Sequence, residues 1–163
     1  MSSTYSKMYA QLVFAVEGRQ SLIHSLWEEE LYKYITGITQ SKKQKMLAIN
    51  GMPDHLHIFI GMKPACCLSD LVMEIKKSSH SFIKEKGFAK QFSWQDGFGA
   101  FTYGHSQIDQ VVKYVMNQKQ RHQKHTFRQE YISLLKKFEI EFEEKYLFEF
   151  IDPADLHATP LGS

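Results

Sequence analysis

The nine residues Asp54-His55-Leu56-His57-Ile58-Phe59-Ile60-Gly61-Met62 constrain this chain more than any other stretch. Side chains alternate along a β-strand, so Leu56, Ile58 and Ile60 form an apolar face suited to a core under helices. His55 and His57 then share the opposite face, about 7 Å apart along the chain at a rise of about 3.3 Å per residue. On an open sheet face a substrate could reach them, and their imidazoles could converge on one metal ion. A His-x-His pair is short, however. Read alone, it describes two solvated polar residues equally well.

The rest of the pattern gives that strand its neighbours. Residues 8–16 read as a strand ending at Gly18. Leu22, Leu26, Tyr32 and Ile35 have helical spacing and predict a helix from Ser21, its cap, to Gly37. Residues 44–50 read as a strand closed by an Asn50-Gly51 turn, with Pro53 limiting the pairing into the strand 54–62. Ser69 is positioned to cap a helix carrying Leu71, Val72, Ile75, Ser79, Phe82 and Ile83, which ends at Gly87. A strand over 98–103, a helix from Ser106 to about Arg121 and a last helix from about Thr126 to Phe138 complete the series. The order β-α-β-β-α-β is that of the ferredoxin-like split βαβ arrangement. The expected class is α+β: an antiparallel four-stranded sheet with helices on one face. Two extra C-terminal helices remain to cover the other face or a partner. The 163 residues suit one domain, expected over 1–140, with an acidic extension over 141–163 that is expected to be disordered from about Ala154 to Ser163.

Charge sharpens the picture of partners. The net charge of +2 argues against a strongly basic nucleic-acid binder, but it averages unlike blocks. Residues 107–137 carry seven basic and two acidic side chains, a local +5, and residues 138–163 carry −6. Residues 63–90 add a second basic stretch of +3. No apolar run approaches the roughly 20 residues needed to span a bilayer. No signal peptide is visible, and Cys66 and Cys67 are adjacent, which suits reduced thiols. A cytoplasmic protein without a membrane partner is the expectation.

The +5 block contains a second candidate constellation. Tyr114 flanks the apolar stripe Ile108, Val111, Val112 and Val115, and Gln118 follows it at i+4, on the same face of a continuous helix. The carboxamide can ligate a metal. Tyr9, Tyr32, Tyr34 and Tyr131 have no carboxamide at i+4. Lys113, Lys119, Arg121, Lys124 and Arg128, with Lys76 and Lys77 on the earlier helix, are candidates for contacts to a nucleic-acid backbone.

Taken together, Met52-Pro53-Asp54-His55-Leu56-His57, Leu68-Ser69-Asp70-Leu71-Val72, Trp94-Gln95-Asp96-Gly97-Phe98 and Tyr114-x-x-x-Gln118 resemble the single-tyrosine HUH transposases. These are the small insertion-sequence enzymes that move as single-stranded DNA, and their REP-associated relatives. The resemblance spans about residues 7–123. It implies that His55, His57 and Gln118 hold a divalent metal, Mg²⁺ or Mn²⁺, and that Tyr114 is the nucleophile. It also implies single-stranded DNA with hairpins as the partner and a homodimer as the assembly. Tyrosine attack on a phosphodiester gives a 5′-phosphotyrosine and a free 3′-OH. That intermediate conserves the bond energy, so no nucleotide cofactor is required. Its absence agrees with the lack of a Gly-rich phosphate loop. Two imidazoles lean intrinsically toward Mn²⁺.

Two other readings compete. A two-histidine phosphoesterase would need a second His-x-Thr strand, and the polar end supplies just His157-Ala158-Thr159. A non-catalytic ferredoxin-like nucleic-acid-binding protein, such as a domesticated transposase relative, would present stacking aromatics rather than paired histidines on its sheet.

Overall fold

A computed structural model describes residues 3–157. Its four strands are β1 (Met8–Ala15), β2 (Lys45–Met52), β3 (His55–Met62) and β4 (Gly99–Tyr103). They form one antiparallel sheet in the order β2-β3-β1-β4. The helices are α1 (Glu28–Ser41), α2 (Leu68–Lys86), α3 (Ile108–Met116), α4 (Gln118–Arg121), α5 (Phe127–Lys137) and α6 (Pro153–His157). This is the α+β, ferredoxin-like split βαβ arrangement expected from the pattern, with further helices at its C-terminal end.

Alternation along the two central strands builds both sides of the sheet. Ala10, Leu12 and Phe14 of β1 and Leu56, Ile58 and Ile60 of β3 pack with Leu31 and Ile35 of α1 and with Leu71, Val72 and Ile75 of α2. Each large aliphatic or aromatic side chain fully buried there contributes about 1.5–3 kcal/mol. The intervening residues face the other way. Tyr9 and Phe59 pack with Val111 and Val115 of α3, while Val13, Ala15 and Phe101 pack with Phe127, Tyr131, Leu134 and Leu135 of α5. Phe148 joins this last cluster. Gln95 fixes the same segment, with its side chain donating to Glu149 O and accepting from Glu149 N, each over 2.8 Å.

Several local expectations are corrected. The first helix begins at Glu28, not Ser21. Ser21 closes a short 3-10 turn (Arg19–Ser21), and its hydroxyl bridges Gln91 O and Ser93 N instead of capping a helix. The three acids Glu28, Glu29 and Glu30 occupy the true first turn, where they complement the helix dipole. Likewise Cys67, not Ser69, stands at the N-cap of α2. The hairpin turns at Pro53-Asp54, not at Asn50-Gly51, because Asn50, Gly51 and Met52 still pair with His57, Leu56 and His55. Gly51 serves close approach rather than turning: a Cβ there would lie 2.3 Å from His55 O. The helix expected from Ser106 to Arg121 divides at Asn117 (φ −95°, ψ 18°) into α3 and α4. Asn50 Nδ2 donates to Met116 O over 3.0 Å, satisfying a carbonyl at the break. Of the stretch expected to be disordered from about Ala154, the part within Pro153–His157 is helical, and residues 158–163, with Ala158 and Thr159, lie outside the described residues. Most important for function, the histidine face is not open: α3, α4 and α5 cover it.

Candidate active site

His55 and His57 sit side by side on β3 with both side chains at 0% exposure. Their rings are 5.1 Å apart, centre to centre. Asp54, the second turn residue, accepts from His55 Nδ1 over 2.7 Å. That contact directs His55 Nε2 inward. The ring lies flat on Phe127, with centroids 3.8 Å apart and planes within 2°. His57 is oriented from behind. Gln11 Nε2 donates to its Nδ1 over 3.0 Å, and Tyr103 Oη donates to Gln11 Oε1 over 2.6 Å. Turning the Gln11 amide over reverses this relay: Oε1 then accepts from Nδ1–H, and His57 Nε2 becomes a free lone pair.

At the centre stands a residue that sequence reading counted only as a charge. Glu130 projects from α5 and is 4% exposed. Its Oε1 lies 2.9 Å from His57 Nε2, 3.0 Å from His122 Nε2 and 3.3 Å from His55 Nε2. Its Oε2 accepts from Gln118 Nε2 over 2.9 Å and from the Tyr114 hydroxyl in a very short contact. Gln118 Oε1 in turn lies 3.2 Å from His55 Nε2 and 3.0 Å from His122 Nε2. Tyr114 and Gln118 therefore meet on one carboxylate even though the helix breaks between them.

These contacts set the protonation states. Burial works against a charged His55, but Asp54 and Glu130 outweigh it and hold its pKa up at about 9. For His57 burial wins over Glu130, and its pKa is lowered. Burial also opposes the Glu130 charge, yet His57, His122 and His55 hold that carboxyl well below the usual carboxylate range. The Tyr114 phenol is raised by burial and then by Glu130, with Arg121 and Gln118 acting in the opposite direction. The Arg121 guanidinium stands 4.5 Å from the centre of the Tyr114 ring.

The donor set suits a divalent ion. An ion held at about 2.1 Å in an octahedral shell keeps adjacent donors about 3.0 Å apart. The separations of His55 Nε2 and His122 Nε2 from Gln118 Oε1 and Glu130 Oε1 lie between 3.0 and 3.3 Å. His55, His122 and Glu130 also each place one ligand atom within 4.8 Å of one another.

The candidate nucleic-acid contacts separate into groups. Lys113, Arg121 and Lys124 line a groove of about 750 Å³ with Tyr114, Asn117 and His125. Tyr114 is half-buried, so this groove is where the phenol meets solvent. Lys119 pairs with Glu28 at 2.9 Å, and Arg128 with Glu144 at 2.7 Å. Lys76 and Lys77 lie on α2, across the sheet from Tyr114. Lys76 Nζ is committed to Gln95 O and Gly97 O, at 2.8 and 2.7 Å.

Sequence reading missed Glu130, Asp54 and Gln11, and gave His122 no part in holding a metal. A signal for Glu130 existed. It occupies the stripe Phe127, Glu130, Tyr131, Leu134 and Leu135, so a charge falls on the buried face of a helix.

No curated protein sequence matches the chain significantly. Solved structures share its fold, two of them described as transposases. One is a candidate transposase from Deinococcus radiodurans R1, with a TM-score of 0.58, 18% identity, 72% of this chain and 95% of the other covered. The second is a REP-associated tyrosine transposase bound to a REP hairpin, with a TM-score of 0.56, 18% identity, and 75% and 73% covered. The sequence pattern described as "Transposase IS200 like" matches residues 4–118. With that match running through both histidines and on to Tyr114 and Gln118, the chain belongs to the IS200-like transposase family.

Proposed function

We propose that this transposase cleaves and rejoins single-stranded DNA at hairpin-bearing element ends, with Tyr114 as the nucleophile. The observation that carries the reading is the placement of Tyr114. Its hydroxyl donates to a buried carboxylate beside two histidines, while its ring borders a basic groove. The hairpin carried by the REP-associated neighbour supports a hairpin as the DNA recognised.

Tyr114 Oη attacks phosphorus, its O–P bond forms, and the bond to the 3′ oxygen breaks. The 5′ end is left as a phosphotyrosine ester, and the departing 3′ oxygen takes up a proton. Rejoining reverses these steps with another 3′-OH. The hydrogen bond to Glu130 Oε2 orients the phenol, and the phenol proton leaves to water in the groove. Arg121 over the ring favours the developing phenolate. Lys113 and Lys124 hold the strand by its phosphates. His55, His57 and Gln118 would hold a divalent ion, Mg²⁺ or Mn²⁺, with His122 Nε2 3.0 Å from Gln118 Oε1 as a further donor, and the ion when bound would polarise the phosphate. Tyr114 acts on the histidines of its own chain, a reading supported by the 5.7 Å between the His57 and Tyr114 rings. A homodimer belongs to the same proposal.

The test uses hairpin oligonucleotides drawn from the DNA flanking the gene. With Mn²⁺ or Mg²⁺, a covalent protein–DNA adduct is expected on a denaturing gel for single-stranded but not duplex DNA. It should vanish in Tyr114→Phe. An adduct that survives that substitution would overturn the nucleophile, and a folded protein that forms none would favour a non-catalytic DNA-binding role.

A further inference from the structure

We infer that Glu130 is itself a ligand of the divalent ion, entering through Oε1, so that a carboxylate joins the neutral donors His55, His57 and Gln118. The inference rests on the metal-assisted reading above. Glu130 lies beyond residues 4–118, the stretch that matches the family, and α5 brings it in from the C-terminal side.

Geometry makes the first argument. Oε1 is the point on which three imidazoles converge, at 2.9, 3.0 and 3.3 Å from their Nε2 atoms. An ion gathered by those nitrogens and Gln118 Oε1 would have this oxygen as its neighbour. Charge makes the second. An ionised carboxylate at 4% exposure needs a cationic partner to offset its desolvation. Histidine ligates through a lone pair and is then neutral, so His55 and His57 cannot balance Glu130 in the loaded site, which leaves His122 at 3.0 Å and Arg121 Nε at 3.9 Å beside the dication. The dication can, and direct ligation is the contact open to it. Construction makes the third. Phe127, one turn before Glu130, stacks on His55, and Phe148 packs on Phe127 and Tyr131, with ring centres 5.8 and 4.9 Å away. The C-terminal segment thus fixes the helix that carries the carboxylate. An added carboxylate oxygen also makes the site harder than imidazole and amide alone, which favours Mn²⁺ and Mg²⁺ over softer ions.

The test reads metal binding, not DNA cleavage. Mn²⁺ is titrated into the full chain and the free aquo ion is followed by electron paramagnetic resonance. The wild type should bind Mn²⁺. Glu130→Gln should bind at least ten-fold more weakly, and Glu130→Asp should fall between them. A Glu130→Gln protein that is folded by circular dichroism and binds as tightly as wild type overturns the inference, leaving the metal-assisted reading intact. A wild type that binds no Mn²⁺ removes both. Should Glu130→Gln fail to fold, wild-type protein labelled with [δ-¹³C]glutamate decides the matter. A ¹³C coupling to bound Mn²⁺ in electron–nuclear double resonance is expected, and its absence contradicts the inference.

Discussion

The two faces of the sheet are made by the same strands, one residue out of step, and they are built on opposite principles. Toward α1 and α2, β1 and β3 present Leu12, Phe14, Leu56, Ile58 and Ile60, and the packing is apolar apart from isolated hydroxyls such as Ser79, which accepts from Trp94 Nε1. Toward α3–α5 the same strands set Gln11, His55 and His57 between two apolar clusters, one around Tyr9 and Phe59 and one around Val13 and Ala15, and the cover supplies Gln118, His122 and Glu130. Both faces exclude water. One gains stability from area removed from solvent. The other buries polar groups, each of which must find a partner, and among the described residues every buried side-chain nitrogen or oxygen has one. The strand pair thus devotes one face to an apolar core and the other to a cluster of partnered polar groups out of bulk water, with Tyr114 at its boundary.

The largest effects belong to the polar face. Tyr114→Phe and His57→Ala should each abolish DNA cleavage. A mixture of the two should stay inactive if each chain completes its own site. Recovery on mixing, measured as adduct yield, would show that the tyrosine serves the partner's histidines. Next comes the apolar face. Ile58→Ala should cost about 2–5 kcal/mol of stability by denaturant melting, with cleavage per folded molecule retained. Cleavage lost at full stability would break the division between the faces.

Much of this division was legible in the sequence, and the limits have physical causes. Alternation over 54–62 gave the strand, the pairing of Leu56 with Ile58 and Ile60, and the common side of the two histidines. The turn was misplaced because Asn-Gly is a strong local turn signal, whereas here Gly51 answers a contact from His55 O across the hairpin. The closed histidine face could not be read, because its cover is tertiary. Glu130 meets His57 across 73 residues and His55 across 75. Nothing local tells a buried acid on α5 from one more solvated charge, apart from the stripe it interrupts.

A smaller effect appears with pH. In the metal-free protein the His55 pKa is raised above the unfolded value of 6.5 to about 9. The stability contributed by its proton is therefore complete below about pH 6.5 and lost as pH rises through about 9. The melting temperature should fall across that window and flatten in His55→Asn. The apolar face has no such dependence. The smallest effect is expected at the exposed Arg128–Glu144 pair, where Arg128→Ala should cost less than about 1 kcal/mol by thermal melting.

The central claim is that the buried histidine face serves a tyrosine that becomes covalently joined to DNA. Its most direct test is peptide mass spectrometry after trapping the protein with a single-stranded hairpin substrate and digesting both polymers. A residual 5′-phosphonucleotide is expected on the peptide containing Tyr114. The same mass on the peptide of Tyr9, Tyr32, Tyr34 or Tyr131, or on none, would contradict it.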